Sequence, residues 1–227
     1  MIGQRIEQVL GVCTAIGLLI GLYAGLIYAP PDAVQGEVQR LMYLHVPLIL
    51  ISYLTFFIVF VMSILYLWRR SRKYDAIAHS SAEIGTLFTA LAIATGSIWG
   101  RPTWGAWWTW DARLTATAIL LLIFLGYLML RALVEDESRG AAFCSVLGII
   151  GFLDIPIIHM SVVWWRTLHQ PASILKSGLL MVAPDMLMAL LTNLVAFVLL
   201  YGYLLAKRLR LEGVREELFN LRMELLR

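Results

Sequence analysis

The chain has 227 residues, of which 60% are hydrophobic and 15% charged, and its formal net charge is +3. A soluble globular domain is closer to roughly 45–50% apolar and about 25% charged, so this composition excludes an ordinary soluble domain. Most positive charges lie in loops and tails beside apolar stretches, which indicates membrane orientation rather than nucleic-acid binding.

Six apolar stretches are long enough to cross a hydrocarbon core of about 30 Å. We predict an all-α integral membrane protein with one domain over residues 1–227. The first stretch is too long for the apolar part of a signal peptide and precedes a poor cleavage site, so we interpret it as an uncleaved helix. The six predicted transmembrane helices cover residues 9–28, 45–68, 80–99, 114–133, 143–163 and 179–206.

Lysine and arginine are distributed unevenly between the two sides of this topology. Thirteen of the 18 lie on the side of the termini and five on the opposite side. The positive-inside rule therefore predicts that both termini are cytoplasmic. The segments that would face outward are 29–44, 100–113 and 164–178.

Residues 207–227 form the one segment with a soluble character. Apolar residues recur there at spacings of three and four, so one face of a helix is apolar. They are Leu211, Val214, Leu218, Leu221 and Leu225. We interpret this cytoplasmic amphipathic tail as a solvated or membrane-surface helix, with docking to a cytoplasmic partner as the alternative.

Tryptophan is concentrated on the predicted outer side, and five of the eight tryptophans lie between residues 99 and 110. An interfacial aromatic belt would populate both sides of the membrane, so we favour a ligand-binding surface in the outer loop 100–113. If the residues from Trp104 onward form a helix, one face carries Trp104, Trp107, Trp108 and Asp111. Such a surface suits a large planar ligand.

Two histidines lie on the same predicted side as this loop. His45 begins the second span, and His169 lies in the third outer segment. One imidazole on each face of a flat macrocycle would satisfy both axial positions of a haem iron, so we predict both as haem ligands. Hydrogen bonding at a helix end is the alternative for each. His159 is a weaker ligand candidate or a polar neighbour of the pocket, and His79 is expected to be solvated on the cytoplasmic side.

Charged and aromatic residues around these histidines are candidate pocket contacts. Arginines on the outer side can pair with haem propionates, with Asp111 or with lipid phosphate. The candidates are Arg101, Arg113 and Arg166, with Trp164 and Trp165 beside them.

Two carboxylates in or near predicted spans need a polar partner, and we expect structural hydrogen bonds. Asp185 follows Pro184 at the outer start of the sixth span, and Asp154 precedes Pro156, where a broken helix would leave polar groups to satisfy. The two cysteines, Cys13 and Cys144, form no CxxC motif and are expected to be buried, inert thiols.

Three segments of the sequence resemble a known family. Trp104-Gly-Ala-Trp107-Trp108-Thr-Trp110-Asp111-Ala-Arg113-Leu-Thr115 resembles the tryptophan-rich WWD signature of haem-handling membrane proteins. His45-Val-Pro and Trp164-Trp165-Arg-Thr-Leu-His169-Gln-Pro171 resemble the histidine segments that flank it. Within that group, the length, the six spans and the second histidine segment are similar to the CcmC family, over residues 42–203.

The resemblance implies a haem-delivery protein of the bacterial inner membrane rather than an enzyme. His45 and His169 would be the axial ligands of haem b at the periplasmic face. The platform beside the haem would comprise Trp104, Trp107, Trp108, Trp110 and Asp111. The chain would deliver haem to the periplasmic chaperone CcmE for c-type cytochrome biogenesis, together with the transporter subunits CcmA and CcmB and the small protein CcmD. ATP hydrolysis would belong to CcmA, which fits the absence of a P-loop in this sequence.

Two other readings remain open at this point. A b-type electron-transfer cytochrome would use the same pair of histidines, but a second haem on the cytoplasmic side would have only His79 available. A haem-free permease, with Asp154 and Pro156 in a substrate path, leaves the tryptophan-rich loop unexplained.

Overall fold

The structure is a computed structural model that describes residues 2–165, 167–169, 175–176, 179–180 and 182–225. A bilayer offers no water to unpaired backbone N–H and C=O groups, so a chain that crosses it pairs them within helices. Six helices of the described residues are long and apolar enough to cross a membrane. The prediction of an all-α, six-span membrane protein is therefore confirmed.

The helices are joined by short connections. α1 (Ile2–Tyr23) continues as a π-helical turn (Ala24–Tyr28), and a 3-10 turn (Glu37–Leu41) leads into α2 (Met42–Arg69). The chain returns through α3 (Arg72–Trp104), followed by α4 (Ala112–Leu133), α5 (Glu137–Trp164) and α6 (Pro184–Leu225). Two short antiparallel strands, β1 (Leu175–Lys176) and β2 (Leu179–Leu180), lie between α5 and α6.

Three details of the predicted spans differ in the structure. α6 begins at Pro184, because Leu179 belongs to β2 and proline fits the first position of a helix. α5 runs through Pro156 without interruption, so the expected broken helix beside Asp154 is wrong. α6 also continues without a break through Leu225, with its apolar stripe exposed.

α2 is the central helix of the bundle. Its first turn packs through Tyr43 against the end of α1 and the start of α6. Its middle contributes Ile51 to a cluster with α3 and α6. Further along, Phe56 stacks on Phe124 of α4 with ring centroids 3.7 Å apart. All three buried clusters therefore include α2, and this fixes the position of any residue that it carries.

Ionic contacts join the helices at the end of the bundle where α1 begins and α6 extends, which we call the terminal end. Arg131 of α4 donates to both carboxylate oxygens of Asp75 on α3, at 2.7 and 3.3 Å. Tyr66 of α2 donates to the Ser138 carbonyl of α5 at 3.2 Å. Other pairs between helices here include, among the described residues, Lys207–Glu7, Arg210–Glu7, Arg208–Glu83 and Arg72–Glu137.

His79 lies within this polar network, so the expectation that it is solvated is wrong. Its ring stacks on Tyr127 of α4, with centroids 6.3 Å apart and planes 18° apart. Nε2 is 3.7 Å from the Glu83 carboxylate. The nearby Cys144 is buried as expected, whereas Cys13 lies on an exposed face of α1.

We call the opposite end of the bundle the tryptophan end. The connections from α1 to α2, from α3 to α4 and from α5 to α6 lie there. Trp99 donates from Nε1 to Gln35 Oε1 at 2.8 Å, which places the first of these connections over the end of α3. Tyr28 donates to Asp185 Oδ1 at 2.9 Å, the structural hydrogen bond expected of that carboxylate. The segments predicted to share one side of the membrane thus share one end of the bundle.

We expect Arg131→Ala to lower the stability of the bundle. The change leaves the buried Asp75 carboxylate without its cation, a loss that costs about 3–5 kcal/mol for a buried pair. Arg131 keeps 21% exposure, so the low end of that range applies. The thermal unfolding midpoint in detergent measures the effect. The matched control is Arg139→Ala, because that side chain is 77% exposed and its one ion pair among the described residues is with the neighbouring Asp136. Equal midpoints for the two variants would contradict this account.

Candidate functional site

His45 lies in the first turn of α2, with its imidazole packed against α3. Nδ1 is 2.9 Å from the carbonyl oxygen of Ala92 and 3.3 Å from Thr95 Oγ1. Because a carbonyl oxygen only accepts, Nδ1 carries the proton and the lone pair lies on Nε2. Metal-binding histidines are oriented in this same way by a hydrogen bond from their other ring nitrogen. The surroundings of His45 therefore prepare Nε2 to bind a metal ion.

Gly96 allows this imidazole to lie directly against α3. A Cβ atom at position 96 would be 2.8 Å from His45 Cε1 and 3.2 Å from Nδ1. The ring of Trp99 follows on the same helix, with its centroid 5.8 Å from that of His45 and the planes at 71°. Sequence reasoning missed Gly96 because a glycine in an apolar helix carries no chemical signal of its own.

α3 ends at Trp104, so the condition under which Trp104, Trp107, Trp108 and Asp111 would share a helix face is not met. Gly105 has a φ of +79° and donates its N–H to the Arg101 carbonyl at 3.0 Å, which is a left-handed helix cap. The following residues have no regular structure until α4 begins. Trp107 and Trp108 therefore lie in the loop and share no helix face with Trp104.

The loop presents aromatic surface at this end of the bundle. Trp107 is 59% exposed and Trp110 is 78% exposed. The partly buried Trp108 packs against Trp110 with ring centroids 5.5 Å apart, at 82°. Its indole N–H is buried and has no hydrogen-bond partner among the described residues. Since a buried indole N–H usually finds a partner, this donor is available to a ligand.

Asp111 connects the loop to the segment that carries His169. Its Oδ1 accepts from the Leu114 N–H at 2.9 Å as the N-cap of α4, and its Oδ2 accepts from the Leu168 N–H at 3.3 Å. The His169 ring meets Trp104 at an angle of 61°, with centroids 6.1 Å apart. The last turn of α3 and the first of α4 thus both contact this segment.

The structure places both predicted histidines at the tryptophan end, each beside a tryptophan of α3. His45 packs against Trp99, and His169 packs against Trp104.

Arg113 lies beside Tyr53, a residue two turns further along α2 that sequence reasoning missed. A buried polar atom near Tyr53, Asp154 Oδ2, has no hydrogen-bond partner among the described residues. Such an atom is costly inside a bilayer, so it marks a region that can accept a polar group of a ligand.

The other predicted pocket residues are exposed or form contacts outside the site. Arg101 donates to a carbonyl at the end of its own helix. His159 is exposed on α5. Trp164 and Trp165, each more than half exposed, pack edge-on with centroids 5.7 Å apart. Arg166 lies outside the described residues.

The chain matches one protein family along almost its whole length. Residues 1–224 match the CcmC family, described as haem exporter protein C. The chain is 42% identical over 223 residues to haem exporter protein C of Bradyrhizobium diazoefficiens, covering 96% of this chain and 83% of that one. It is 38% identical over 214 residues to that of Haemophilus influenzae, covering 94% and 87%. The corresponding protein of Escherichia coli K12 is 36% identical over 202 residues, covering 88% and 81%. The chain belongs to the CcmC family.

CcmC membership confirms the resemblance predicted from the tryptophan signature and the two histidine segments. The residues present also fit a haem. Two imidazoles can bind the iron, the rings of Trp104 and Trp108 can contact the macrocycle, and Arg113 can pair with a propionate. His45 fits best, because the Ala92 carbonyl already fixes its protonated nitrogen.

We expect Gly96→Ala to disturb His45 in this CcmC protein even without haem. The new methyl group would lie 2.8 Å from the imidazole, so the ring must move away from the Ala92 carbonyl. ¹⁵N NMR of histidine-labelled protein should then show loss of the single tautomer protonated at Nδ1. The matched control is Gly126→Ala on α4, where nothing lies within 4 Å of the added carbon. An unchanged tautomer in Gly96→Ala would contradict the assigned geometry.

Proposed function

We propose that this chain binds haem between His45 and His169 and transfers it to a periplasmic haem chaperone during c-type cytochrome maturation. The observation that carries the proposal is that these two imidazoles pack against tryptophans at the same end of α3, His45 against Trp99 and His169 against Trp104. One comes from the central helix and the other from the segment after α5. The names of the CcmC relatives, haem exporter protein C, support haem as the ligand.

The two histidines would bind haem b from opposite faces of the macrocycle. His45 offers Nε2 from a helix that is packed on several sides, and His169 offers its ring from a segment linked to Asp111. Binding by two imidazoles fills both axial positions of the iron and leaves the porphyrin edge accessible. The role of the protein would be to hold and orient the haem, not to catalyse a reaction.

Arg113 is the preferred propionate contact among the arginines considered. It lies near both His45 and Tyr53, whereas Arg101 is engaged by its own helix end. A guanidinium forms strong paired hydrogen bonds with a carboxylate. Tyr53 would be a second donor to the same group, because its buried hydroxyl lies beside this guanidinium.

Charge distribution supports a periplasmic location for this site. The tryptophan end belongs with the five basic residues of the less basic side, and the terminal end with the other 13. By the positive-inside rule, both termini would then be cytoplasmic. The bacterial relatives support the bacterial inner membrane as the location of this chain. A chaperone in the periplasm would have direct access to haem bound at the tryptophan end.

We infer that the exposed tryptophans of the loop receive that chaperone, CcmE. Large exposed aromatic side chains beside a ligand site are typical of an interaction surface. The transporter subunits CcmA and CcmB and the small protein CcmD would complete the complex, with ATP hydrolysis in CcmA. The cytoplasmic tail of α6 remains a candidate contact for such partners.

Electron transfer by a b-type cytochrome is the alternative use of two histidines. A second haem at the terminal end would need two further ligands, but His79 is the one histidine there and it stacks on Tyr127 beside Glu83. Reduction of the bound haem by quinol would favour electron transfer, whereas capture of that haem by CcmE would favour delivery.

Replacement of either proposed ligand should change the haem spectrum. We expect His45→Ala and His169→Ala each to remove the six-coordinate, low-spin signature. The double variant should lose more than about tenfold in haem affinity, since the outer-shell partners of metal-binding histidines are alone worth about 10–100-fold. Absorption spectra of the purified protein measure both effects.

His79→Gln is the control for this experiment, because it changes a histidine at the terminal end and keeps a hydrogen-bonding side chain. Its spectrum should match that of the wild type. An unchanged low-spin spectrum in the double alanine variant would show that the ligand assignment is wrong.

The double variant Trp107→Ala, Trp110→Ala tests the transfer step. An interface tryptophan of the kind that dominates binding is worth at least about 2 kcal/mol, so capture by haem-chaperone CcmE should weaken by about thirtyfold or more. Low-spin haem should still be bound, because neither residue is an iron ligand. Trp68→Ala is the matched control, since Trp68 is 74% exposed at the terminal end. Equal capture by all three proteins would contradict a docking role for the loop.

A further inference from the structure

Asp111 belongs to the tryptophan signature, yet its contacts are with the backbone of two separate segments. We propose that Asp111 is a positioning residue for His169, which it holds through the peptide N–H of Leu168. The inference rests on the proposed function, in which His169 is an iron ligand. It assigns the carboxylate a role distinct from contact with the haem.

Both oxygens of the Asp111 carboxylate are engaged. Oδ1 accepts from Leu114 N–H in the first turn of α4, at 2.9 Å, and Oδ2 accepts from Leu168 N–H at 3.3 Å. The two donors belong to elements that are far apart in sequence. The N-terminus of α4 also favours a negative charge at this position through its aligned peptide dipoles. One ionised side chain therefore joins the start of α4 to the residue before His169.

Further contacts of this segment include a local turn and an aromatic contact. Thr167 Oγ1 donates to the His169 carbonyl at 3.2 Å, which closes a turn within the segment itself. The Trp104 ring meets the His169 ring edge-on. That contact acts on the ring, whereas the hydrogen bond from the preceding peptide sets the position of the backbone. The Asp111 link thus transmits the position of α4 to the ligand.

The chemistry of the link allows a selective test. Two acceptor oxygens are needed, and an asparagine side chain has only one. Asn is also a favourable N-cap residue, so Asp111→Asn should keep the bond to Leu114 and lose the bond to Leu168. Asp111→Ala should lose both bonds. Comparison of the two variants separates the link to His169 from the cap of α4.

Asp136 supplies the matched control. It caps α5 at the terminal end and accepts only from its own first turn, namely the N–H groups of Ser138 and Arg139 and the Ser138 hydroxyl. The Arg139 N–H and the Ser138 hydroxyl hold the pKa of the Asp136 carboxyl below its usual range. Asp136→Asn therefore repeats the chemical change at a helix cap that has no second segment attached.

The first measurement is hydrogen exchange of single amides in the haem-free, full-length protein. We expect exchange at Leu168 to become about five- to tenfold faster in Asp111→Asn, as for the loss of one hydrogen bond, with Leu114 unchanged. Asp111→Ala should accelerate both amides, and Asp136→Asn neither. Unchanged exchange at Leu168 in Asp111→Asn would overturn the link.

The second measurement is the spin state of bound haem. Asp111→Asn should shift part of the haem from low to high spin, and added imidazole should restore the low-spin form, because the lost ligand is an imidazole. Faster exchange at Leu168 with an unchanged spin state would overturn the positioning role. If His169→Ala leaves the spectrum unchanged, the proposed function fails, whereas the haem-free exchange result still decides whether Asp111 holds this segment.

Discussion

Inside hydrocarbon, each unpaired backbone N–H or C=O group costs several kcal/mol. The whole free energy of unfolding of a domain is only about 5–15 kcal/mol, so few such groups can be tolerated. This chain meets that constraint with six long helices and places irregular backbone at the ends of the bundle. The positions where helices stop and start therefore decide where chemistry can occur. Gly105, in its left-handed conformation, ends α3, and Asp111 begins α4. The tryptophan-rich loop exists because these two residues bound the irregular stretch between α3 and α4.

The two ends of the bundle are stabilised in different ways. At the terminal end, ion pairs and hydrogen bonds connect neighbouring helices, and Asp75 with Arg131 forms the most buried pair. At the tryptophan end, large aromatic side chains such as Trp110 remain exposed. A fold that is held at one end can leave the other end with low local stability, which binding and release of a ligand require. The ion pairs between helices and the candidate haem site therefore lie at opposite ends of the same helices.

Much of this architecture follows from the sequence. Apolar length predicts the six spans, and alternation of sides brings His45, His169 and the tryptophan-rich loop together. The contacts between side chains of different helices could not be predicted, because the spacing of apolar residues along the chain carries no information on distances between helices. The role of Gly96 is visible only in the structure, where a Cβ atom at this position would lie 2.8 Å from the imidazole of His45. The sequence predicts a solvated His79, because it does not show that α4 places Tyr127 against this ring. The shared tryptophan face that a helix past Trp104 would give does not form for a local reason, because Gly105 ends α3 in a left-handed conformation.

The two proposed ligands are held with different rigidity, and this matters for a site that must release what it binds. His45 lies on the central helix, fixed by the Ala92 carbonyl and by the close approach of α3 at Gly96. His169 lies outside the helices, in a segment that Asp111 joins to the start of α4 through the Leu168 N–H. Movement of α2 would disturb all three buried clusters, whereas the described residues of the His169 segment belong to none of them. If haem is held by both imidazoles as proposed, the bond to His169 would therefore be the one that opens at lower cost during transfer.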